Sequence, residues 1–268
     1  MPQTRFWAEM TSADFKDADM ARAIAVLPLA ATEQHGPHLP LGTDTFIMEG
    51  HIAKAVEHLP RELFVLFLPV QNCGLSVEHM DFPGTLTIAA TALIEAWTSI
   101  CESTHQSGCR KLVLLNSHGG NSPLLSIIAH DLRARLGMLT VLASWRRFGV
   151  PPGLFSEPEQ IHGIHAGEIE TSLMLYFRPD LVRKEAAGDF ASASVDMEHE
   201  FQRLRAGRPT GFGWMAQDLS CAGAMGNAAA ASAGKGKACA DHAASVFIDL
   251  LRDIDRFDLA RLRTRPLF

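Results

Sequence analysis

Short apolar runs alternate with amphipathic stretches along most of the chain, and this order constrains the fold more than any other feature. Residues 24–29, 63–70, 111–115 and 138–143 have the length and apolar composition of buried strands. Apolar residues at helical spacing predict helices at residues 44–58, 89–108, 124–136, 167–177, 195–205 and 243–254. A β-α-β-α order of this kind predicts the α/β class, with a mostly parallel central sheet and helices on both of its faces.

Length and composition limit the class of protein further. No linker, repeat or low-complexity segment divides the 268 residues, so we expect one domain, residues 1–268. A globule of this size buries roughly 75% of its unfolded surface, and we expect any metal to serve chemistry rather than folding. The composition excludes a collagen, a coiled coil or a disordered chain. The formal net charge of -6 argues against a nucleic-acid partner.

Cysteine spacing and hydropathy predict the compartment. The five cysteines are widely spaced and form no C-x-x-C pair, which is typical of unbridged thiols in a reducing compartment. The first residues lead into no apolar run typical of a signal peptide. The longest apolar runs are far shorter than the roughly 20 residues that span a bilayer. We therefore expect a cytoplasmic protein with no membrane partner.

Two polar loops leave the carboxyl ends of predicted strands, where ligands bind in open α/β sheets. In the first loop, Glu33 and His35 are two residues apart and point the same way if the segment is extended. Asp44 begins the next helix, where Asp also serves as a cap. His118 follows the third strand and precedes two glycines. That position suits a metal ligand or a histidine bonded to the backbone.

A third group of polar residues opens the helix predicted at 167–177. Glu168 and Glu170 stand in its first turn, where acids also interact favourably with the helix dipole. With the two loops, the chain supplies three carboxylates and two imidazoles: Glu33, His35, Asp44, His118 and Glu168. Such a set suits two borderline divalent ions such as zinc or manganese. Three carboxylates and one hydroxide would balance the charge of the two ions.

These residues lie in motifs that resemble the creatininase family of metal-dependent amidohydrolases. The matching stretches are residues 27–36, Asp44, 82–85, 115–121 and 165–172, and the resemblance extends over essentially the whole chain. It implies a three-layer α/β/α sandwich, a homohexamer and a binuclear metal site. It also implies that Glu33, His35, Asp44 and His118 are metal ligands, with Asp44 between the two ions.

The fifth ligand differs from that of creatinine-hydrolysing members. Those members carry a glutamate two residues after the strand-end histidine, where this chain has Gly120. Glu168 stands where they have a small or apolar residue, so we interpret Glu168 as the relocated ligand. Members that pair a His-Gly-Gly-Asn motif with a His-Ala-Gly-Glu motif, as residues 118–121 and 165–168 do, include formamide deformylases and a peptide-trimming branch.

The resemblance implies a reaction and roles for individual residues. A hydroxide between two ions, zinc before manganese or iron, would hydrolyse a C–N bond, other than a peptide bond, of a small cyclic or linear amide; formamide deformylation and peptide trimming are the alternatives within the family. His165 matches the family's catalytic histidine and is the candidate acid for the leaving nitrogen, with Glu168 beside it. Ser76, His79 and Glu170 are expected to contact substrate or support the ligands, and Asn121 to hold its loop.

The substrate pocket departs from that of true creatininases. Ile161 replaces a tryptophan that those enzymes place against the creatinine ring, so creatinine is not the expected substrate. Trp145 lies near the place of another pocket tryptophan and is assigned to substrate binding. Arg146 and Arg147 follow it and would suit an acidic or phosphate group, or else are solvated surface arginines.

Three alternatives remain at this point. A serine hydrolase would need a G-x-S-x-G elbow, which neither Ser76 nor Ser122 has. A nucleotide-binding loop at Gly226–Gly236 would need a glycine where Ala229 stands and a Ser or Thr where Gly236 stands. A metal-stabilised assembly subunit without catalysis is the non-enzyme alternative, against which the full set of ligands and His165 argue.

Overall fold

The four predicted strands form one parallel sheet. The computed structural model describes residues 4–207 and 209–263. Its strands β1 (Ile24–Leu29), β2 (Val65–Phe67), β3 (Lys111–Asn116) and β4 (Leu139–Ser144) lie in the order β2-β1-β3-β4. β1 is central, since Ile24 pairs with Val65 on one side and with Lys111 on the other. A separate antiparallel pair joins β5 (Asp189–Phe190) to β6 (Gly226–Asn227).

Helices connect and cover the parallel strands. They are α1 (Ser12–Asp17), α2 (Thr43–His58), α3 (Ala90–Gln106), α4 (Ser122–Leu136), α5 (Glu157–His162), α6 (Glu168–Phe177), α7 (Ala193–Glu200), α8 (Ala216–Leu219) and α9 (Ala233–Arg256). Helices α2, α3 and α4 join successive strands as parallel crossovers. The helix predicted at 195–205 is α7, which ends five residues earlier because Phe201 has an extended backbone.

Both faces of the sheet are buried, because alternate side chains along each strand enter two separate cores. On one face, Val26 packs in a cluster with Met48 of α2 and Phe247 of α9. On the other face, Leu27 packs in a cluster with Trp97 of α3. The near-continuous apolar composition of the strands follows from this double burial. The layers are therefore α/β/α, as the sequence and the resemblance predicted.

The sequence did not predict the shortest elements, which are α1, α5, α8, β5 and β6. Elements of two to six residues have too few positions to display a helical or alternating period. Some of them matter for the site, because α5 and β6 flank the segment that carries His165. The assignment of residues 1–268 to one domain stays a prediction.

The parallel register brings two loops to one edge of the sheet. Leu29 at the end of β1 pairs with Asn116 at the end of β3, so the polar segments that follow these strands begin side by side. This is the edge at which open α/β sheets bind ligands. Among the described residues, no helix is both long and apolar enough to cross a membrane.

Candidate metal centre

Carboxylates and imidazoles from four segments meet at this edge. Glu33 and His35 come from the loop after β1, and Asp44 from the first turn of α2. His118 lies two residues after the end of β3, and Glu170 projects from the first turn of α6. Glu33, His35, Asp44 and His118 are all buried. The side chain of Glu170 is 23% exposed, so solvent reaches the cluster from its side.

One half of the cluster surrounds His118. Its Nδ1 lies 3.1 Å from Glu33 Oε1 and 3.4 Å from Asp44 Oδ2. Its Nε2–H donates to the carbonyl oxygen of Leu75 at 2.7 Å. That bond places the proton of the neutral ring on Nε2 and leaves Nδ1, with its lone pair, facing two carboxylates. A histidine held in this way by a backbone carbonyl is prepared to bind a metal ion.

The other half of the cluster surrounds His35, whose ring is also held by a hydrogen bond to a backbone carbonyl. His35 Nδ1–H donates to the carbonyl oxygen of Glu33 at 3.0 Å, so Nε2 is the free nitrogen. That Nε2 lies 3.7 Å from Asp44 Oδ1 and 3.9 Å from Glu170 Oε2. The two oxygens of Asp44 thus face different histidines.

The buried carboxylates of the cluster favour an additional positive charge close to them. Burial alone would lower the pKa of His118, but Glu33 and Asp44 outweigh it and raise the pKa to about 10. In the same way, Asp44, Glu170 and Glu33 overcome burial and raise the pKa of His35 to about 9. Burial also raises the pKa of Asp44 and of Glu170. Without a cation, protons are drawn to the two imidazoles.

Unpartnered buried atoms show that these residues fit a metal. Glu33 Oε2, His35 Nε2 and Asp44 Oδ2 are buried and have no hydrogen-bond partner among the described residues. A buried polar atom without a partner costs about 1 to 3 kcal/mol, more when it is charged. Oxygen and imidazole nitrogen are ligands that zinc, manganese and iron all accept. The cluster is therefore a candidate site for divalent ions.

The fifth predicted ligand lies elsewhere. Glu168 Oε1 accepts from the ammonium group of Lys235, at the start of α9. In the described part of the chain, some clusters bring three ligand atoms within 4.8 Å of one another; neither Glu168 nor His118 joins one, although His118 lies 3.1 Å from Glu33. Glu170 joins such a cluster with His35 and His165. The two glutamates are two residues apart on a helix, so they point in nearly opposite directions. The structure thus places Glu170, not Glu168, beside the other predicted ligands.

The backbone at Gly120, two residues after His118, leaves no room for a side chain. A Cβ atom at Gly120 would overlap the carbonyl oxygen of Leu75 and Nε2 of His118. A side chain there would therefore disturb the bond that orients His118. The additional carboxylate of the cluster lies in its other half, where Glu170 of α6 is 3.9 Å from His35 Nε2.

His165 lies beside the cluster with a defined tautomer. Its Nε2–H donates to the carbonyl oxygen of Gln34 at 2.7 Å, and its Nδ1 lies 3.8 Å from Glu33 Oε1. Burial, reinforced by the neighbouring His35 and His79, lowers the pKa of His165 well below its usual value. The ring is therefore neutral at pH 7, with its lone pair on Nδ1 directed toward Glu33.

His79 and Gln34 form a second polar pair next to His165. Gln34 Nε2 donates to His79 Nδ1 at 2.7 Å, so the proton of the neutral His79 ring is on Nε2, which lies 3.4 Å from Glu33 Oε1. Burial lowers the pKa of His79 to about 4. His79 thus lies against Glu33, and its predicted role as a support for the ligands or a substrate contact stays a prediction. Gln34 was not predicted, although it stands between Glu33 and His35.

Ser76 and Asn121 hold loops rather than a reacting group. Asn121 Nδ2 donates to the carbonyl oxygen of Ala30 at 3.1 Å, and its Oδ1 accepts from Leu75 N at 3.0 Å. It therefore joins three loops. Ser76 Oγ lies 3.4 Å from His118 Nε2, whose proton is directed to Leu75. This geometry gives Ser76 no base and does not support a serine hydrolase.

A buried carboxylate anchors the segment that carries His165. Glu159 of α5 accepts from Glu168 N at 2.7 Å through Oε1 and from Asn227 N at 2.9 Å through Oε2. Gly226 lies against it with φ +120°, and a Cβ there would overlap the carboxylate. Ala166, next to His165, has φ 53°, which is unusual for alanine. Its N–H donates to Glu170 Oε2 at 2.5 Å, so a strained turn positions both Glu170 and His165.

Trp145 lines the cavity beside the cluster but is itself packed. Its ring stacks on His51 at a centroid distance of 4.5 Å, and its Nε1–H points to Met48 Sδ at 3.1 Å. Ile161, which replaces the family's other pocket tryptophan, is exposed and does not line this cavity. The glycine-rich run at Gly226–Gly236 contains β6 and the start of α9, and its Lys235 pairs with Glu168. This gives no support to a nucleotide-binding loop.

Comparisons with known proteins agree with the fold and identify the family. The creatininase family model, described as creatinine amidohydrolase, matches residues 8–251. A mycofactocin precursor peptide peptidase of Mycobacterium tuberculosis (strain CDC 1551 / Oshkosh) is 36% identical over 186 residues, which cover 66% of this chain and 67% of that protein. A creatinine amidohydrolase of Pseudomonas putida is 26% identical over 211 residues, which cover 72% and 80%. A 3-dehydro-scyllo-inosose hydrolase of Thermotoga maritima (strain ATCC 43589 / DSM 3109 / JCM 10099 / NBRC 100826 / MSB8) is 25% identical over 194 residues, covering 70% and 61%.

Solved structures match over nearly the whole chain. A crystal structure of creatinine amidohydrolase (creatininase) superimposes with a TM-score of 0.77 at 23% identity, covering 96% of this chain and 100% of that chain. Two further creatininases, one described as the Mn form and one mutant as the Zn-Zn type, have TM-scores of 0.74 and 0.75 at 23% identity, each covering 94% and 98%. At this identity the structures show the fold alone. The family model, which matches most of the chain, shows more: the chain belongs to the creatininase family and is a hydrolase of that family.

Proposed function

We propose that the chain is a metal-dependent amidohydrolase that cleaves a C–N amide bond with two divalent ions. Glu33, Asp44 and His118 would hold one ion, and His35, Asp44 and Glu170 the other. The observation that carries this proposal is the set of buried, unpartnered atoms on Glu33, His35 and Asp44, which face one another across the cluster. Zinc is the first candidate metal, with manganese and iron as alternatives.

The chemistry divides between the ions and the protein. When bound, the ions lower the pKa of water and polarise the carbonyl group of the substrate. The oxygen of water forms a bond to the amide carbon, the C–N bond breaks, and the leaving nitrogen takes a proton. His165 is the residue we assign to that proton. Its neutral ring accepts the proton from water at Nδ1 and then donates it to the nitrogen.

Neighbouring groups fix the tautomer of His165 and stabilise its protonated form. The carbonyl oxygen of Gln34 accepts the Nε2 proton, so Nδ1 is the nitrogen available for transfer. Glu33, 3.8 Å from Nδ1, stabilises the ring while it is protonated. We assign no catalytic role to Glu168, because its partner Lys235 keeps it away from the cluster.

The substrate is a small amide of cyclic or linear form. The exposed Ile161 offers no aromatic surface against a ring, so creatinine has no support here. A peptide or an N-acyl amide is the second candidate, favoured by the 36% identity to mycofactocin precursor peptide peptidases. The His-Gly-Gly-Asn and His-Ala-Gly-Glu subtype, a homohexameric assembly and a cytoplasmic location remain proposals that follow from the resemblance.

Metal-reconstituted protein tests the reaction. Protein stripped with a chelator and reloaded with zinc, manganese or iron is assayed against creatinine, other cyclic amides and ureas, N-formyl compounds and short peptides. Hydrolysis that returns only with metal and resists serine reagents supports the proposal. A protein that binds two ions and hydrolyses no member of the panel would instead be the non-catalytic assembly subunit.

A matched pair of variants tests the ligand assignment. We expect Glu170→Gln to bind about one metal ion per chain fewer than the unaltered protein, because it loses a ligand oxygen. Glu168→Gln, two residues away on the same helix, keeps both ions and loses only its bond to Lys235. Metal content by mass spectrometry distinguishes the two. Normal metal content in Glu170→Gln with loss in Glu168→Gln would restore the original assignment.

A further inference from the structure

The wall of the cavity beside the candidate metal centre combines acidic, apolar and cationic residues. The cavity measures about 300 Å³ and includes Glu33, Asp44 and His118 in its wall. Much of the remaining wall is apolar, with Ile47, Val150, Leu173 and Ala243. Two cationic side chains, Arg146 and Arg147, line the same cavity. A mainly apolar pocket with a few polar groups is typical of a substrate site in which those groups fix the orientation of the ligand.

Both arginines are held at the sheet edge that carries the metal centre. They lie in a short 3-10 turn, Trp145–Phe148, that directly follows β4. Arg146 Nη1 donates to the carbonyl oxygen of Ile164 at 2.9 Å, which fixes the guanidinium beside the segment that contains His165. Its remaining N–H groups have no acceptor among residues 4–207 and 209–263.

Among residues 4–207 and 209–263, neither arginine forms an ion pair with an acid. Within the described part of the chain, Arg147 makes no side-chain hydrogen bond and no ion pair. Some arginines are paired, as Arg135 is with Asp131 and Glu102, whereas Arg61 is unpaired among the described residues like Arg147. What distinguishes Arg147 is its place in the wall of the cavity. The charge of Arg146 acts on the nearby Glu170, but within the described residues neither arginine forms an ion pair, and both are exposed in the wall of the cavity. Two such cations are suited to an anion that arrives with the substrate.

We propose that Arg146 and Arg147 bind a carboxylate group of the substrate, so that the amide cleaved here is anionic. This inference rests on the proposed function, since it names the substrate class of the same site. The planar guanidinium group matches a carboxylate with two parallel N–H···O bonds, and a second guanidinium adds charge. An N-acyl amino acid and the C-terminal residue of a peptide both carry such a carboxylate near an amide bond. The apolar wall accommodates the rest of the molecule.

Binding of a matched ligand pair tests the inference without any turnover. The probes are N-acetyl-L-leucine, which carries a carboxylate, and N-acetyl-L-leucinamide, its neutral counterpart. Calorimetry on manganese-loaded protein is expected to show at least about tenfold tighter binding of the carboxylate, since bonds to charged groups contribute that much or more. In the variants Arg146→Gln and Arg147→Gln the preference falls, and in the double variant it disappears.

Arg61→Gln is the control. It removes the same charge from an exposed arginine that precedes β2, at the opposite edge of the sheet, and should leave the preference unchanged. Arg147→Lys keeps the charge without the fork and should retain part of the preference. Melting curves show whether each variant is folded. If Arg147→Gln is unfolded, Arg147→Lys provides the comparison.

Two outcomes overturn the inference. Equal binding of both probes by the unaltered protein would mean that no anion subsite exists. A preference that survives in the double variant would mean that the ions alone attract the carboxylate. Failure of the proposed function is a separate result, namely no metal-dependent hydrolysis in the amide panel. The binding preference is measured whether or not the panel contains a substrate.

Discussion

Replacing Glu159 with Gln tests how the fold positions the segment around His165. The Glu159 carboxylate is buried and accepts two backbone N–H groups from two segments, Glu168 N at 2.7 Å and Asn227 N at 2.9 Å. A glutamine has nearly the same shape, but its amide has only one oxygen. Its NH₂ group must face one of the two N–H donors, so that donor loses its partner.

The magnitude follows from this loss. A hydrogen bond to a charged group contributes about 1.5 to 3 kcal/mol, and one of the two such bonds is lost. We therefore expect the free energy of unfolding to fall by about 1.5 to 3 kcal/mol. For a chain of this length, with an unfolding entropy of about 2.1 cal/mol/K per residue, the midpoint falls by about 3 to 5 °C.

Urea unfolding followed by circular dichroism measures the change, with the slope m expected to stay constant. Glu157→Gln is the control, because Glu157 lies in the first turn of the same helix but is exposed. Its effect should stay within about 0.5 kcal/mol, as for most surface substitutions. If Glu159→Gln unfolds at the same urea concentration as Glu157→Gln, the carboxylate does not hold the two segments and the reasoning is refuted.

Three further predictions concern the cavity and the metal centre. His51 is buried against Trp145 and Phe177, and burial lowers its pKa to about 3, below the usual 6.5. Its neutral form favours folding above pH 6.5, and that stability is lost by about 1.4 kcal/mol per pH unit as the pH falls from 6.5 toward 3. His51→Phe should therefore unfold with a shallower acid dependence in urea titrations at pH 7 and pH 5, and an equal dependence would contradict this. Metal added to stripped protein at about 100 times its Kd should raise the free energy of unfolding by about 2.7 kcal/mol, and Glu33→Gln should lose much of that gain in thermal melts. An equal gain in Glu33→Gln would remove this residue from the ligands. His165→Ala should keep its metal content while kcat falls by about 10² to 10⁴, and unchanged turnover would reject its role in proton transfer.

Much of this fold can be predicted from local patterns of apolar residues in the sequence. Buried parallel strands are apolar along their whole length, and a helix repeats its apolar face every three to four residues, so both can be read from neighbouring positions. The strands at residues 24–29 and 111–115 and the helix at 44–58 are confirmed within one residue. The strand predicted at 63–70 is reduced to Val65–Phe67, because apolar composition does not reveal where ladder hydrogen bonds stop.

The choice between Glu168 and Glu170 shows a limit of spacing arguments. Both glutamates stand in the first turn of α6, and their motif position does not say which face of the helix turns toward His35. The helical period did contain information on this choice. Glu170 shares a helix face with the apolar Leu173 and Met174, three and four residues later. That face lines the cavity through Glu170 and Leu173, while Glu168 faces α9 and Lys235.

The sequence by itself determined the α/β class, the edge of the sheet where polar side chains gather, and four of the five residues that cluster there. Those conclusions depend on period and on residue type after a strand, which are local properties. Only the tertiary structure placed Glu170 in the cluster, anchored the His165 segment on Glu159, and brought Arg146 and Arg147 into the wall of the same cavity. These contacts join residues far apart in the chain, and their geometry depends on how helices α5, α6 and α9 pack around the sheet edge.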